Sequence, residues 1–173
     1  MIKRTFLLLT LVFFVCELSA QVRLPVVFGD HMVLQRDKPI VVWGWSSPGE
    51  KVTVQFGKQS KRVTATRDGK WKVALDPVPA GGPHQLNVKG KNTVTIKDVL
   101  VGEVWLCSGQ SNMQWIVKNS MDAEKEIAAG DYPRIRHIRI PQTIAATPAD
   151  DVKPTSWQIC SPETVANFTA VGY

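Results

Sequence analysis

The sequence predicts a mixed fold, with an all-β sandwich over residues 21–98 followed by the first part of an α/β domain over residues 99–173. Two observations predict the sandwich: short segments of alternating apolar and polar residues recur before residue 98, and turn-forming residues separate them. A third observation predicts the α/β part. After Asp98 the alternation gives way to an almost continuous apolar run over residues 99–107, typical of a strand buried on both faces in a parallel sheet.

The predicted strands of the sandwich each have one apolar face. Residues at every second position point to the same side of a strand, so an alternating segment can bury one face and expose the other. The apolar faces are Val41/Trp43/Trp45, Val52/Val54/Phe56, Val63/Ala65, Trp71/Val73/Leu75, Leu86/Val88 and Val94/Ile96. Predicted turns separate them at residues 47–49, 68–69, 79–83 and 90–92. The tryptophans at 43, 45 and 71 fit core positions better than a sugar-stacking surface.

Beyond residue 107, the pattern predicts alternating short helices and strands. A helix is expected over residues 121–129, with Ser120 as its N-cap and Gly130 at its C-terminal end. A strand is expected over residues 135–140, a loop over 143–154, a short strand over 157–160, and a second helix opening at Asn167.

Residues 1–20 have the pattern of a secretory signal peptide. Lys3 and Arg4 precede an apolar stretch, Phe6–Val15, and Ala20 is a small residue at the expected cleavage point. The stretch is shorter than the roughly twenty apolar residues of a membrane span. We therefore expect a secreted or periplasmic protein with no membrane anchor after cleavage.

The charge distribution and the spacing of cysteines and histidines argue against a nucleic-acid site and a metal site. The formal net charge is +6, but Lys and Arg are scattered, which favours a solvated basic surface over a nucleic-acid site. No His and Cys spacing is typical of a metal site, so no metal or other cofactor is expected. Export would permit a disulfide between Cys107 and Cys160, although two separate buried thiols are the favoured interpretation.

The segment 104–113, Val-Trp-Leu-Cys-Ser-Gly-Gln-Ser-Asn-Met, contains the candidate catalytic residue. A hydroxyl that follows a buried strand and precedes a helix occupies the position where α/β enzymes place a nucleophile. By the local pattern alone, an ordinary helix N-cap is the favoured interpretation of Ser111, and Ser108 is an adjacent alternative nucleophile.

The same segment, with several others in order, resembles the sialate O-acetylesterases and related carbohydrate acetylesterases of the SGNH (GDSL-like) hydrolase group. The matching blocks are 24–25, 30–36, 42–44, 68–71, 101–105, 109–113 and 168–173. The resemblance implies a β-sandwich packed on a flavodoxin-like, three-layer α/β SGNH domain. It implies that Ser111 is the nucleophile that attacks an acetyl ester on a sugar.

The resemblance also implies roles for the neighbours of Ser111. The backbone N–H of Ser111 would be one donor to the oxyanion, Gly109 would permit a tight turn, and Gln110 and Asn112 would shape the site. Trp115 is the candidate for lining the substrate pocket. The family's catalytic Asp and His lie late in its catalytic domain, so we expect an N-terminal fragment that is inactive or nearly so by itself.

The histidines at 31, 84 and 137 are each more typical of structural or solvated positions than of a general base. Two alternatives to a sialate O-acetylesterase stay open: an acetylesterase for xylan or another glycan, and a non-catalytic carbohydrate-binding protein. The downstream Asp and His pair would distinguish an enzyme from a binding protein. The sugar, the acetyl position and the oligomeric state are not predicted.

Overall fold

A computed structural model describes residues 21–173, so the predicted signal peptide lies outside the described residues. The strands are β1 Val33–Gln35, β2 Ile40–Trp45, β3 Lys51–Phe56, β4 Gln59–Thr64, β5 Lys70–Leu75, β6 Gly81–Lys89, β7 Thr93–Gly102, β8 Tyr132–His137 and β9 Gln158–Cys160. The α-helices are α1 Ala123–Ala128 and α2 Pro162–Val165, and two 3₁₀ turns cover Ser111–Gln114 and Val117–Asn119.

The first seven strands form two sheets. The larger sheet has the order β1-β7-β6-β3-β4, and the smaller one pairs β2 with β5. The larger sheet is mixed, because β1 runs parallel to β7 while the other pairs are antiparallel. All the predicted segments between residues 40 and 96 form strands, which confirms the alternating pattern as a strand signal.

Both sheets contribute to one hydrophobic core. From the smaller sheet, Val42 and Leu75 are buried, and from the larger sheet Val54, Phe56 and Val88 are buried with them. Each such side chain stabilises the fold by about 1.5–3 kcal/mol relative to an exposed position. The predicted apolar faces of β3, β5 and β6 are confirmed as core faces.

Strand β2 buries the opposite face from the predicted one. Ile40, Val42 and Gly44 point inward, while Trp43 is 39% exposed and Trp45 is half-buried. The interpretation of Trp43 as core is therefore wrong, whereas Trp71 is only 3% exposed. Gly44 explains why this face of β2 is buried. A Cβ added at Gly44 would lie 2.8 Å from Trp71 Cζ2, so the Trp71 indole fills the space that a side chain at position 44 would need.

The predicted strand over residues 99–107 is also corrected. β7 begins at Thr93 and ends at Gly102, so it extends across the predicted domain boundary at residues 98/99 as a single strand of the mixed sheet. Residues 103–109 form no strand, and the side chains of Trp105 and Leu106 are 82% and 92% exposed. An apolar run is a strand signal only where neighbouring strands cover it, and none within residues 21–173 covers this part.

Residues 103–173 form a smaller unit around β8 and β9, which pair antiparallel. Val117, Cys160 and Val165 make its buried centre. The strand expected over residues 135–140 forms but is displaced toward the N-terminus, as Tyr132–His137. The short strand expected over residues 157–160 is confirmed as Gln158–Cys160, and so is the loop expected over residues 143–154. The parallel α/β layering and the division into domains remain predictions.

Two expectations about helices in this unit are wrong. The N-cap of α1 is Asp122 in a left-handed conformation, not Ser120. The last helix is α2, which begins at Pro162 rather than at Asn167, because Ser161 and Thr164 form a capping box and Pro162 occupies a favoured first-turn position.

Several polar contacts join the small unit to the N-terminal part of the described chain. Arg136 of β8 lies against Asp98 of β7, with Nη1 3.1 Å from Oδ2. The indole of Trp157 donates a hydrogen bond to the Val27 carbonyl at 2.9 Å, and the Asp151 carboxylate accepts one from the Val26 N–H at 3.1 Å. The contacts of Trp157 and Asp151 place the loop between β8 and β9 against the segment that precedes β1.

Candidate active site

The segment that carries Ser111 is anchored where it leaves the mixed sheet. The Gln35 side chain accepts a hydrogen bond from the Val104 N–H and donates one to Glu103, both at 2.9 Å. The Arg36 N–H donates to the carbonyl of Gly102, also at 2.9 Å. These bonds fix the direction in which the chain leaves β7 towards the candidate nucleophile.

Ser111 begins a short 3₁₀ turn, Ser111–Gln114. Gln110 is its extended N-cap residue, and its carbonyl accepts the Met113 N–H at 2.9 Å. The N–H groups of Ser111 and Asn112 precede this first bond, so the turn itself provides them with no acceptor. Two adjacent N–H groups at a helical start are suited to bind the oxyanion of a tetrahedral intermediate.

Gly109 lies where the chain passes close to the turn. A Cβ added there would approach the Met113 Cγ to 3.2 Å, which is tighter than ordinary contact. The glycine therefore allows the Met113 side chain to pack back over the segment that precedes Ser111.

The residues after the turn pair with residues 166–170. The Trp115 carbonyl accepts the Ala170 N–H at 2.8 Å, and the Val117 N–H donates to the Phe168 carbonyl at 3.1 Å. Ile116 and Thr169 form an antiparallel bridge between the two segments. A strand-like pairing of residues 115–117 with residues 168–170 therefore follows the Ser111 turn directly in the sequence.

The predicted site residues are all exposed. The side chains of Gln110, Ser111 and Asn112 are exposed, and Trp115 is 55% exposed beside them. Among residues 21–173, no side chain donates a hydrogen bond to the Ser111 hydroxyl or accepts one from it. The geometry brings together the candidate nucleophile and two backbone donor groups, with no base beside them among residues 21–173.

The three histidines are engaged elsewhere. His31 Nδ1 lies 2.6 Å from Asp98 Oδ2 in the mixed sheet, and the His84 ring packs against Phe56. His137 is buried, stacks on Phe168 with ring centroids 4.2 Å apart, and lies 3.2 Å from the Gln158 amide oxygen. Burial lowers the pKa of His137, which the hydrogen bond with Gln158 opposes. These surroundings indicate structural roles for these rings.

Sequence reasoning missed the anchors of the site. Gln35 ends β1 and Asp98 lies within β7, and no local pattern identifies their partners. Glu103 and Val104, which bond Gln35, and His31, which bonds Asp98, each lie more than sixty positions away. Neither did any local signal predict that residues 115–118 would pair with residues 166–170.

Residues 21–173 contain no group of three or more His, Cys, Asp or Glu side chains arranged to hold a metal ion. Cys107 and Cys160 are both free thiols, as the favoured interpretation expected. Cys160 is buried, as expected, but Cys107 is exposed, so the expectation that it is buried is wrong. No helix in this range has the length and apolarity to cross a membrane.

Comparison with known proteins gives a consistent result. No family model matches the chain. It is 35% identical over 146 residues to a sialate O-acetylesterase of Pongo abelii, and 38% identical over 123 residues to one of Mus musculus. These matches cover 77% and 64% of this chain. The crystal structure of a carbohydrate acetylesterase from Xanthomonas citri superposes with a TM-score of 0.86 at 38% identity over 88% of the chain.

The chain belongs to the sialate O-acetylesterase family. It spans only 28% and 22% of the two mammalian relatives and 36% of the Xanthomonas citri chain. Likeness to the solved structure at this level extends over both the sheets and the small unit that carries Ser111. The family resemblance predicted from the sequence blocks is therefore confirmed for the part of the protein that this chain represents.

Proposed function

We propose that this chain is part of an exported serine esterase that removes O-acetyl groups from sugars, with Ser111 as the nucleophile. The observation that supports it best is the placement of Ser111, in a chain of the sialate O-acetylesterase family, at the first residue of an exposed 3₁₀ turn. Its N–H and that of Asn112 have no acceptor within the turn.

The proposed reaction has two steps. The Ser111 hydroxyl oxygen attacks the acetyl carbonyl while a base takes its proton, and the N–H of Ser111 donates to the oxyanion that forms. The intermediate collapses as the sugar oxygen leaves with the proton from the base. Water then attacks the acetyl-serine in the same way, which releases acetate and restores the hydroxyl. The proposed chemistry uses no metal or cofactor.

The general base is proposed to come from another part of the whole protein. His31, His84 and His137 each have a partner or packing role away from the Ser111 turn. A serine without a base is a weak nucleophile. The proposal therefore assigns a His and an Asp outside residues 21–173 to complete the triad.

The domain organisation is proposed on the same basis. Residues 1–20 are a cleaved signal peptide, residues 21–98 are a β-sandwich, and residues 99–173 begin an SGNH-type α/β esterase domain. Two sheets that share one core support the sandwich. The likeness to a carbohydrate acetylesterase structure beyond residue 98 supports the esterase domain.

Sialic acids are the proposed sugars, because the mammalian relatives are named sialate O-acetylesterases. A broader specificity for xylan or other acetylated glycans is the second candidate. It is favoured by the Xanthomonas citri relative, which is named only as a carbohydrate acetylesterase.

The test uses the whole natural protein that carries this sequence. Acetate release is measured from O-acetylated sialic acid and from acetylated xylan, with wild type, Ser111→Ala and Ser108→Ala. The proposal predicts that Ser111→Ala lowers kcat by about a thousandfold or more, and that Ser108→Ala stays within a few fold of wild type. Equal activity of Ser111→Ala and wild type contradicts the assignment of the nucleophile. Sugar binding without acetate release by wild type would instead support a non-catalytic binding protein.

A further inference from the structure

The outer face of the β2–β5 sheet carries an aromatic and basic surface that the esterase reaction does not use. Side chains that lie directly opposite each other in antiparallel strands point to the same face. Trp43 is opposite Lys72, and Trp45 is opposite Lys70 on one side and Arg23 on the other. We call this surface, Arg23, Trp43, Trp45, Lys70 and Lys72, the outer aromatic face.

The Trp43 ring is fixed by packing on one side and exposed to solvent on the other. Its ring packs at 74° to the ring of Phe28, with centroids 4.7 Å apart, and Phe28 in turn packs against the core. Trp43 is nevertheless 39% exposed. A large aromatic ring that is fixed by packing and still faces solvent offers apolar area at little cost in conformational entropy, as recognition sites require.

The charges around the two tryptophans are unequally compensated. Arg23 stacks over the Trp45 ring at 3.9 Å and lies 3.8 Å from Asp151, and Lys70 pairs with Asp150 at 3.0 Å. Lys72, directly across from Trp43, is exposed and makes no ion pair within residues 21–173. The open ring thus has a cation beside it that no carboxylate of the described chain neutralises.

We infer that the outer aromatic face is a binding site for a carboxylate-bearing pyranose, with the sugar ring stacked on Trp43 and its carboxylate near Lys72. The C–H groups on one side of a pyranose form an apolar surface that suits the face of an indole. An ammonium group attracts a carboxylate placed beside it. Phe28, which packs on Trp43, and Trp45 line a shallow open groove beside this face. The inference does not depend on Ser111 being the nucleophile.

The test measures binding by the whole natural protein of a sugar that cannot be deacetylated. The probe is the methyl α-glycoside of glucuronic acid, a carboxylate-bearing pyranose that is not the proposed esterase substrate, and its carboxyl methyl ester is the matched neutral ligand. Isothermal titration calorimetry compares wild type with Trp43→Ala, Trp43→Phe and Lys72→Gln. Lys89→Gln, an exposed lysine on the other sheet, is the control, and near-UV circular dichroism checks that each variant is folded.

The inference predicts that Trp43→Ala weakens this binding by about tenfold or more, and that Trp43→Phe retains part of it. Lys72→Gln should bring the acid and its ester to equal affinity, whereas Lys89→Gln and Ser111→Ala should preserve the wild-type preference for the acid. Undiminished binding by folded Trp43→Ala overturns the inference, as does an acid preference that survives Lys72→Gln. A dimer that depends on Trp43, with no sugar binding, would assign the face to a second copy of the chain instead.

Discussion

The carboxylate of Asp98 accepts a hydrogen bond from His31, with Oδ2 and Nδ1 2.6 Å apart. Both residues have left-handed backbone conformations, with φ of 53° and 68°. The same carboxylate lies 3.1 Å and 3.3 Å from the two terminal nitrogens of Arg136 on β8. Asp98 therefore connects the turn before β1, strand β7 and the small unit that carries Ser111.

Asp98→Asn should destabilise the protein by about 2 kcal/mol. Asparagine adopts the left-handed conformation readily, so the backbone is not strained by the change. The loss comes from Arg136, whose side chain is only 6% exposed and would keep its charge without a carboxylate partner. Urea unfolding followed by tryptophan fluorescence measures the effect.

The control for that prediction is Asp150→Asn. Asp150 pairs with Lys70, but its side chain is 70% exposed, so the variant should change the free energy of unfolding by less than about 0.5 kcal/mol. Equal effects of the two substitutions would show that Asp98 does not have this connecting role.

His137 should make stability depend on pH. Burial lowers its pKa below the ordinary value of 6.5, so below that pH the unfolded chain binds more protons than the folded one. Stability should therefore fall as the pH drops from about 6.5 through the lowered pKa, and should be insensitive to this group above that range. Urea midpoints at about pH 7.5 and about pH 5 measure the difference.

His137→Phe should remove that part of the acid sensitivity, because phenylalanine keeps the stack on Phe168 and cannot be protonated. His84→Gln, at the less buried ring beside Phe56, should leave it in place. An unchanged loss of stability at low pH in His137→Phe would assign the effect to other groups.

The two thiols should react at very different rates. Cys107 is exposed, whereas Cys160 is fully buried and its pKa is raised by burial, so that its reactive thiolate is scarce. A thiol reagent should label Cys107 rapidly and Cys160 only on unfolding, with Cys107→Ser leaving no fast phase. Absence of any labelling in the native protein, with two thiols appearing after reduction, would indicate a disulfide instead.

Gly44→Ala should destabilise the fold by about 3 kcal/mol. The added methyl group would overlap the Arg23 carbonyl and lie 2.8 Å from Trp71 Cζ2. Gly29→Ala is the matched control, since its nearest neighbour would be the Val26 carbonyl oxygen at 4.0 Å. Thermal unfolding of both variants tests the claim that Gly44 makes room for Trp71, and equal melting temperatures would contradict it.

The strands were predictable where alternation has a clear polar face. Residues 51–56 and 70–75 carry Lys, Thr or Gln between their apolar residues, so the register of burial follows from the sequence. β2 has apolar side chains on both faces, and only the packing of Trp71 against Gly44 decides which face is inside. The apolar run over residues 99–107 was wrongly predicted to be one strand, because an apolar pattern does not show where the neighbouring strands end.

The sequence predicted the residues of the candidate site but not the long-range hydrogen bonds that position them. The segment 109–113 carries a family pattern that places Ser111 at the start of a turn, as the structure has it. Its supports, such as Gln35 with Val104 and the pairing of Trp115 with Ala170, join residues far apart in the chain. Such contacts depend on the assembled fold, which no local pattern encodes.

The most direct test of the central claim is to trap the acetyl-enzyme. The whole natural protein is mixed with an O-acetylated sialic acid, quenched in acid within the first turnover, and digested for peptide mass spectrometry. Our account predicts an acetyl group on Ser111 that disappears as acetate is released, and none in Ser111→Ala. Acetate release without a modified Ser111, or an acetyl group on another residue such as Ser108, would contradict it.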